Sequence, residues 1–156
     1  MITNFKRCDG MLKIDEDANV LGASTFNIFD FLLESELKNQ IGDIFDKDSY
    51  DKLKLKFCFN LEESKTHESE LSAIELKLLM GLLDFTSKLF VSEKGEYLDP
   101  YFSEAFSMNL SEFKDFKKTY NNLTTTFFTE LKEVYKDDKE MLKNIVSMLE
   151  WKSVKV

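Results

Sequence analysis

The sequence predicts a helix-dominated α+β fold, in which a small N-terminal antiparallel sheet is packed by about five helices. Asp9-Gly10 separates two short strand-like runs and favours a type I′ turn because glycine accepts a positive φ, so it predicts a β-hairpin over residues 2–15. Residues 52–61 alternate polar and apolar side chains, and helical periodicity dominates from residue 72 onward. The length of 156 residues fits a single domain, 1–156, with one core.

The first predicted helix covers residues 25–39. The polar segment 15–19 is typical of a turn, and Ser24 or Thr25 is then placed to cap the free amides of the first helical turn. Apolar residues recur on one helical stripe at Phe26, Phe29, Leu32, Leu33 and Leu37.

Residues 52–61 are predicted to form the third strand, because the period of two is strict throughout this stretch. The strand would bury Leu53, Leu55, Phe57, Phe59 and Leu61. Lys52, Lys54 and Lys56 would then face solvent, where like charges keep a strand from pairing with a neighbouring molecule. The alternative is that this lysine row binds an acidic partner.

A central helix is predicted over residues 73–90. Ser72 and Glu75 have the spacing of a capping box, in which each side chain binds the backbone amide of the other residue. Because the helix is apolar around most of its circumference, it should be covered on most sides. Gly81 disfavours a helix relative to alanine, so its place in the middle predicts the close approach of another element.

Three further helices follow in the sequence. Asp99 is placed as a cap, with Pro100 at the first position of a short helix that ends near residue 108, where the missing N–H of proline costs no hydrogen bond. Residues 109–135 form one long amphipathic helix, and residues 137–151 form the last one. The β-branched run in residues 121–126 leaves open whether the long helix is broken in two.

The charge balance excludes a typical nucleic-acid reader. The chain has 21 basic and 29 acidic residues, for a net charge of −8, and Arg7 is its single arginine. Proteins that bind nucleic acids neutralise phosphates with clustered cations and favour arginine. We therefore expect no direct contact with nucleic acid.

The sequence lacks recognisable motifs for catalysis or cofactor binding. The 5 glycines are isolated, which excludes a phosphate-binding loop, and the single histidine, His67, excludes a histidine-rich metal site. An acidic cluster is formed by Asp43, Asp46, Asp48 and Asp51. A calcium loop that began at Asp46 would need Gly in place of Asp51 and Glu in place of Phe57. We expect no enzyme activity, no cofactor and no metal.

The sequence also predicts a soluble, cytoplasmic protein. Cys8 and Cys58 are too few for a disulfide framework. The longest uncharged apolar stretch, residues 78–83, is too short to span a bilayer.

The favoured function is that of a non-enzymatic acidic module that occupies a surface of a protein partner, as an inhibitor or adaptor. The acidic cluster would steer the chain to a basic partner surface, and surplus aromatic rings would anchor it. The residues expected to bind the partner are Asp43, Asp46, Asp48, Asp51, Tyr120, Phe128 and Trp151. Frequent use of Lys, Phe and Asn suits an AT-rich genome, which favours a phage or mobile-element accessory protein.

Two other classes of function stay open. The chain is alternatively a structural or assembly subunit that forms homo-oligomers through its C-terminal helices. It is alternatively an enzyme with a metal site built from scattered carboxylates.

Overall fold

The structure is a computed structural model, and it describes residues 5–8, 11–14, 16–33, 46–63 and 69–154. It confirms a helix-dominated α+β fold with a small antiparallel sheet. The strands are β1 (Lys6–Cys8), β2 (Met11–Ile14) and β3 (Ser69–Leu71). The described helices are α1 (Glu16–Leu33), α2 (Lys47–Glu63), α3 (Ala73–Phe90), α4 (Glu93–Ala105), α5 (Leu110–Val134) and α6 (Lys139–Val154).

The predicted N-terminal hairpin is confirmed. Strands β1 and β2 pair antiparallel with Cys8 opposite Met11, and the Asp9-Gly10 turn itself lies outside the described residues. The third strand is β3, which pairs antiparallel with β2 so that Leu12 lies opposite Leu71. Both leucines are fully buried, so this pair joins the sheet to the core.

The predicted strand at residues 52–61 is wrong, because this stretch belongs to helix α2. Tyr50, Leu53 and Phe57 follow the spacing i, i+3, i+7 and are all fully buried, whereas Leu55 is 68% exposed. A helix places the first three side chains on one face and Leu55 on the other. The alternation of polar and apolar residues therefore does not reflect a strand. Tyr50, which precedes the alternating run, completes the buried stripe of the helix.

Helix α1 begins earlier than predicted. It starts at Glu16, within the segment expected to be a turn, and Thr25 lies in its middle. The Thr25 hydroxyl donates to the Leu21 carbonyl at 2.8 Å, so Thr25 does not cap the helix. The predicted stripe is confirmed at Phe26, Phe29 and Leu32, which are fully buried. Residues 34–39 of the predicted helix lie outside the described part of the chain.

The predicted capping box of α3 is confirmed. The Ser72 hydroxyl accepts from the Glu75 amide at 3.2 Å, and the Glu75 carboxylate accepts from the Ser72 amide at 2.9 Å. The expectation for Gly81 is wrong, because a β-carbon there would meet no atom within 4 Å. The close approach occurs at Gly22 of α1, where a β-carbon would overlap the Phe57 ring of α2.

Helix α4 runs through Asp99-Pro100, so the predicted helix start at Pro100 is wrong. Asp99 is buried, and both of its carboxylate oxygens accept from the Lys117 ammonium, at 2.8 and 2.9 Å. The carboxylate is therefore engaged by a neighbouring helix and does not cap α4.

Helices α5 and α6 both begin with side-chain caps, and α5 is a single helix. Asn109 and Glu112 form a capping box, and α5 continues without a break through residues 121–126. Three threonines in this run, Thr124, Thr125 and Thr126, donate their hydroxyls to carbonyls four residues earlier, at 2.9 to 3.0 Å. This bonding lets β-branched polar residues stay helical. At the start of α6 the Asp138 carboxylate accepts from the Met141 amide at 3.1 Å.

The core is aromatic. All the phenylalanines whose side chains the structure describes are buried or half-buried. Phe102 of α4 lies at 4.6 Å from Phe31 of α1 and at 5.3 Å from Phe113 of α5, measured between ring centroids. Phe90 of α3 contacts the Tyr120 ring at 5.3 Å. Ring contacts therefore connect four of the helices directly.

Candidate functional site

Two of the aromatic residues expected at an interface belong to the core. Phe128 is fully buried and Tyr120 is 2% exposed. The Tyr120 hydroxyl shares a 2.7 Å hydrogen bond with the Thr25 hydroxyl, and burial raises the pKa of this phenol well above its usual range. Both rings fall on the apolar stripe of α5, which faces the other helices, so neither is presented to a partner. The Trp151 side chain lies outside the described residues.

The acidic cluster lies at the start of α2, and two of its members have local partners. The Asp46 carboxylate accepts from the amide and the hydroxyl of Ser49, at 3.1 and 2.9 Å, which makes it the cap of the helix. Asp51 pairs with Lys47 at 3.0 Å. Asp48 is exposed in the first turn, and Asp43 lies outside the described part.

The lysine row does not exist as one surface, because α2 is a helix. Lys54 pairs with Asp30 of α1, and Lys56 donates to the Glu75 carboxylate and to the Glu70 carbonyl. Lys52 is exposed. Two of the three lysines therefore tie α2 to its neighbours, so a charge reversal of all three would break internal contacts.

Among the side chains that the structure describes, the most exposed aromatic ones lie on α4. Tyr97 is 82% exposed and Tyr101 is 63% exposed. They are four residues apart on one helix, so they lie side by side on the same face. Among the described side chains, these are the two aromatic ones that face solvent.

Acidic residues run beside the tyrosines on the same helix. Glu96, Pro100 and Glu104 are exposed and also repeat every four residues, which places them in a second row next to the first. The two rows cover an arc of about 140° at 100° per residue. We call this surface, formed by Glu96, Tyr97, Pro100, Tyr101 and Glu104, the α4 face.

A groove runs along one edge of the α4 face, between α4 and α5. It has a volume of about 540 Å³. It is lined by Glu96, Asp99, Pro100, Leu110, Lys114 and Lys117. Glu96 and Pro100 therefore belong both to the α4 face and to the wall of the groove. Across the groove lie Lys114 and Lys117 of α5, and the charge of Lys117 is balanced by Asp99.

Pro100 removes one backbone hydrogen bond of α4 at this edge. In a regular helix the amide of residue 100 would donate to the carbonyl of Glu96, but proline has no N–H.

The buried side of α4 is held firmly in place. The Asp99 and Lys117 side chains are only 6% and 12% exposed, and the Lys117 ammonium also lies 5.7 Å from the centre of the Phe113 ring. The Phe102 ring stacks on the Phe113 ring, with 14° between the planes, and the Ser103 hydroxyl donates to the Pro100 carbonyl at 3.0 Å. Contacts on the inner side of α4 therefore set the direction in which the tyrosines project.

Sequence reasoning missed the α4 face because of the Asp99-Pro100 dipeptide. A helix that starts at Pro100 leaves Tyr97 in a loop and places only Tyr101 in the helix. The i, i+4 relation of the two tyrosines was therefore not recognised. The signal that was available is the repeat of Tyr97 and Tyr101 at i, i+4, with acids at residues 96 and 104.

The residues that the structure describes contain neither a membrane-spanning helix nor a cluster of metal ligands. None of the helices described is both long and apolar enough to cross a membrane. Within the same residues there is no group of three or more His, Cys, Asp or Glu side chains placed to hold a metal ion. Comparisons of the chain with protein families, curated proteins and solved structures found no match.

Proposed function

We propose that the protein is a non-enzymatic binding module that occupies a basic surface of a protein partner, as an inhibitor or adaptor, and that it binds through the α4 face. The observation that carries this proposal is the exposure of Tyr97 and Tyr101. The other described aromatic side chains are buried or half-buried, so these two neighbouring exposed rings differ from the rest.

Tyrosine is suited to the centre of an interface. Its large, rigid ring buries much area at a small cost in conformational entropy, and its hydroxyl satisfies a hydrogen bond at the edge. The rings of Tyr97 and Tyr101 project from a helix that is fixed by the Asp99–Lys117 ion pair. A surface already held in its binding geometry loses less entropy when it binds.

Charge favours a basic partner. The α4 face contains Glu96 and Glu104, and the whole chain has a net charge of −8. Complementary potentials accelerate encounter and exclude like-charged partners, and they act more strongly at low salt. The exposed Asp48 at the start of α2 is the competing site for the same electrostatic attraction.

The test compares the double substitution Tyr97→Ala/Tyr101→Ala with the wild-type chain in affinity capture from the native host at low and moderate salt. We expect one stoichiometric protein partner, and binding by the double variant at least about tenfold weaker, which equals 1.4 kcal/mol.

The matched control is Leu55→Ala/Ile74→Ala, which removes two apolar side chains that are 68% and 76% exposed on α2 and α3. This control should bind as the wild type does. Equal binding by the wild-type chain and the tyrosine variant would move the interface away from α4. If Asp48→Lys then slowed association while Glu96→Lys/Glu104→Lys did not, the interface would lie at the start of α2.

The assembly alternative draws no support from the described part of α6. Met141 and Ile145, two residues of its apolar stripe, are buried in the core of the same chain. These side chains are therefore not available for contact with a second copy of the chain. Sedimentation equilibrium tests this directly, because an assembly subunit would gain mass with concentration.

A further inference from the structure

We infer that the partner segment bound by the α4 face is extended and presents two arginines four residues apart. The inference rests on the proposed function and deepens it by naming the chemistry of the partner. It follows from the spacing of the carboxylates and from the kind of side chain that lies beside them.

The two carboxylates set a fixed distance along the helix. Glu96 and Glu104 are eight residues apart on α4, which corresponds to about 12 Å at 1.5 Å per residue. Pro100 lies midway between them and is exposed. Two negative charges are therefore separated by a rigid spacer that itself presents an apolar ring.

In an extended chain, two side chains match this distance when they are four residues apart. Residues in an extended segment rise about 3.3 Å each, so four residues span about 13 Å, and side chains four positions apart point to the same side. Two residues span about 7 Å and six span about 20 Å, which leaves one carboxylate without a partner in either case. Of the three residues between the two basic positions, the middle one points to the same side and faces Pro100, where a small or apolar side chain fits.

The neighbouring rings favour arginine over lysine. Tyr101 and Glu104 are i, i+3 neighbours on α4, so a cation held by Glu104 lies next to the Tyr101 ring. A planar guanidinium stacks on an aromatic face while it donates two hydrogen bonds to a carboxylate. An ammonium offers one compact charge and lacks this planar fit.

The exposed Glu96 carboxylate lies at the other end of the α4 face. A guanidinium donates two parallel hydrogen bonds to a carboxylate from its planar fork, which an ammonium does less completely.

The groove does not take the arginine itself. Lys114 and Lys117 line its opposite wall, and Lys117 is held there by Asp99. Because Asp99 balances the charge of Lys117, the exposed Lys114 is the charge that repels a guanidinium from the groove and directs it along the tyrosine side of Glu96. The segment therefore lies between the two rows of the α4 face and follows their direction, which is inclined to the helix axis.

The test titrates the full chain with acetylated, amidated nine-residue peptides and follows binding by calorimetry and by backbone amide shifts. The reference peptide has arginines four residues apart in a background of Ser and Ala. One comparison peptide has both arginines changed to lysine, and two others place the arginines two or six residues apart. All four peptides have the same net charge.

We expect the reference peptide to bind at least about fivefold more tightly than each of the others, with amide shifts concentrated in residues 93–105. Glu96→Gln/Glu104→Gln and Tyr97→Ala/Tyr101→Ala should each remove this preference, whereas Leu55→Ala/Ile74→Ala should retain it. Equal affinity for all four peptides, or amide shifts centred on α2, would overturn the inference.

The two proposals fail in different ways. If capture of the native partner depends on Tyr97 and Tyr101 but the peptides show no preference, the inference about the segment is wrong and the proposed function stands. If capture of the native partner is unchanged in the tyrosine variant, the proposed function is wrong. Self-association of the chain through α4, detected by sedimentation and lost in the tyrosine variant, would overturn both.

Discussion

Asp99 and Lys117 join α4 to α5 through two short hydrogen bonds between nearly buried side chains. Removing either charge leaves the other buried without a partner, which is far more costly than the pair is stabilising. The contact also places the tyrosines of α4, so it affects the candidate site without touching a partner. Nothing in the sequence pairs residues 99 and 117, because the contact exists only once the two helices pack.

We predict that Lys117→Met lowers the free energy of unfolding by about 3–5 kcal/mol, because the Asp99 carboxylate then stays buried and unpaired. The double substitution Asp99→Leu/Lys117→Met should recover most of this loss. Urea denaturation of the four forms in a double-mutant cycle measures the coupling. Losses that simply add in the double variant would show that the two residues act independently.

Glu75 links the cap of α3 to α2, and its ionisation should make stability depend on pH. Burial raises the pKa of Glu75, but hydrogen bonds from the Lys56 ammonium and the Ser72 amide and the charge of Lys56 together lower it below its ordinary value of 4.5. A lowered pKa in the folded state means that the ionised carboxylate stabilises the fold above about pH 4.5. This contribution is lost as the pH falls through the folded-state value.

We therefore expect Glu75→Gln to be less stable than the wild type at pH 7, with the difference shrinking as the pH is lowered below 4.5. Thermal unfolding of both proteins between pH 3 and pH 7 measures this difference. A gap that stays constant over the whole range would mean that the ionisation of Glu75 does not contribute.

Among the elements, α2 shows that an alternating pattern of polar and apolar residues can occur in a helix. Leu53 and Phe57 fit both a strand of period two and a helix, and only the burial of Tyr50 and the exposure of Leu55 distinguish the two. Short apolar runs are ambiguous in this way. The capping box of Ser72 and Glu75, by contrast, identified the start of α3 correctly, because side-chain bonds to free amides are local and do not depend on the rest of the fold.

The two glycines of α1 and α3 allow a paired prediction. Gly81→Ala should raise the free energy of unfolding by about 0.5–1 kcal/mol, since alanine favours the helix and its β-carbon has free space. Gly22→Ala should lower it by about 1–3 kcal/mol, because the added carbon meets the Phe57 ring. Chemical denaturation of both variants checks the signs, and a stabilised Gly22→Ala variant would contradict the packing of α1 on α2.

The sequence did not reveal the candidate site, because the start of helix α4 was predicted at the wrong residue. Helix α4 contains an interior proline, and sequence rules assign such a proline to the start of a helix because it removes a hydrogen bond anywhere else. Here the contacts of Asp99 with Lys117 and of Phe102 with Phe113, both on α5, favour the helix despite this loss. Tertiary contacts of this kind are not readable from the local sequence.

For the whole molecule, the fold class was predictable and the surfaces were not. Hairpin, long helices and aromatic core follow from turn residues, periodicity and composition, which are properties of the chain itself. Which rings remain outside depends on how the helices pack. Tyr120 and Phe128 lie on the packed face of the longest helix, while Tyr97 and Tyr101 lie on the outer face of a shorter one.

The sheet has a consequence for the order of folding during synthesis. Its middle strand β2 pairs on one edge with β1 and on the other with β3, and Ile14 meets Ser69 only after α1 and α2 have been made. At the usual rate of translation, this interval is on the order of several seconds. During that time the edge of β2 that later pairs with β3 has no β3 to pair with. A ribosome-bound fragment that ends before β3 should therefore expose an open strand edge, which the completed chain closes.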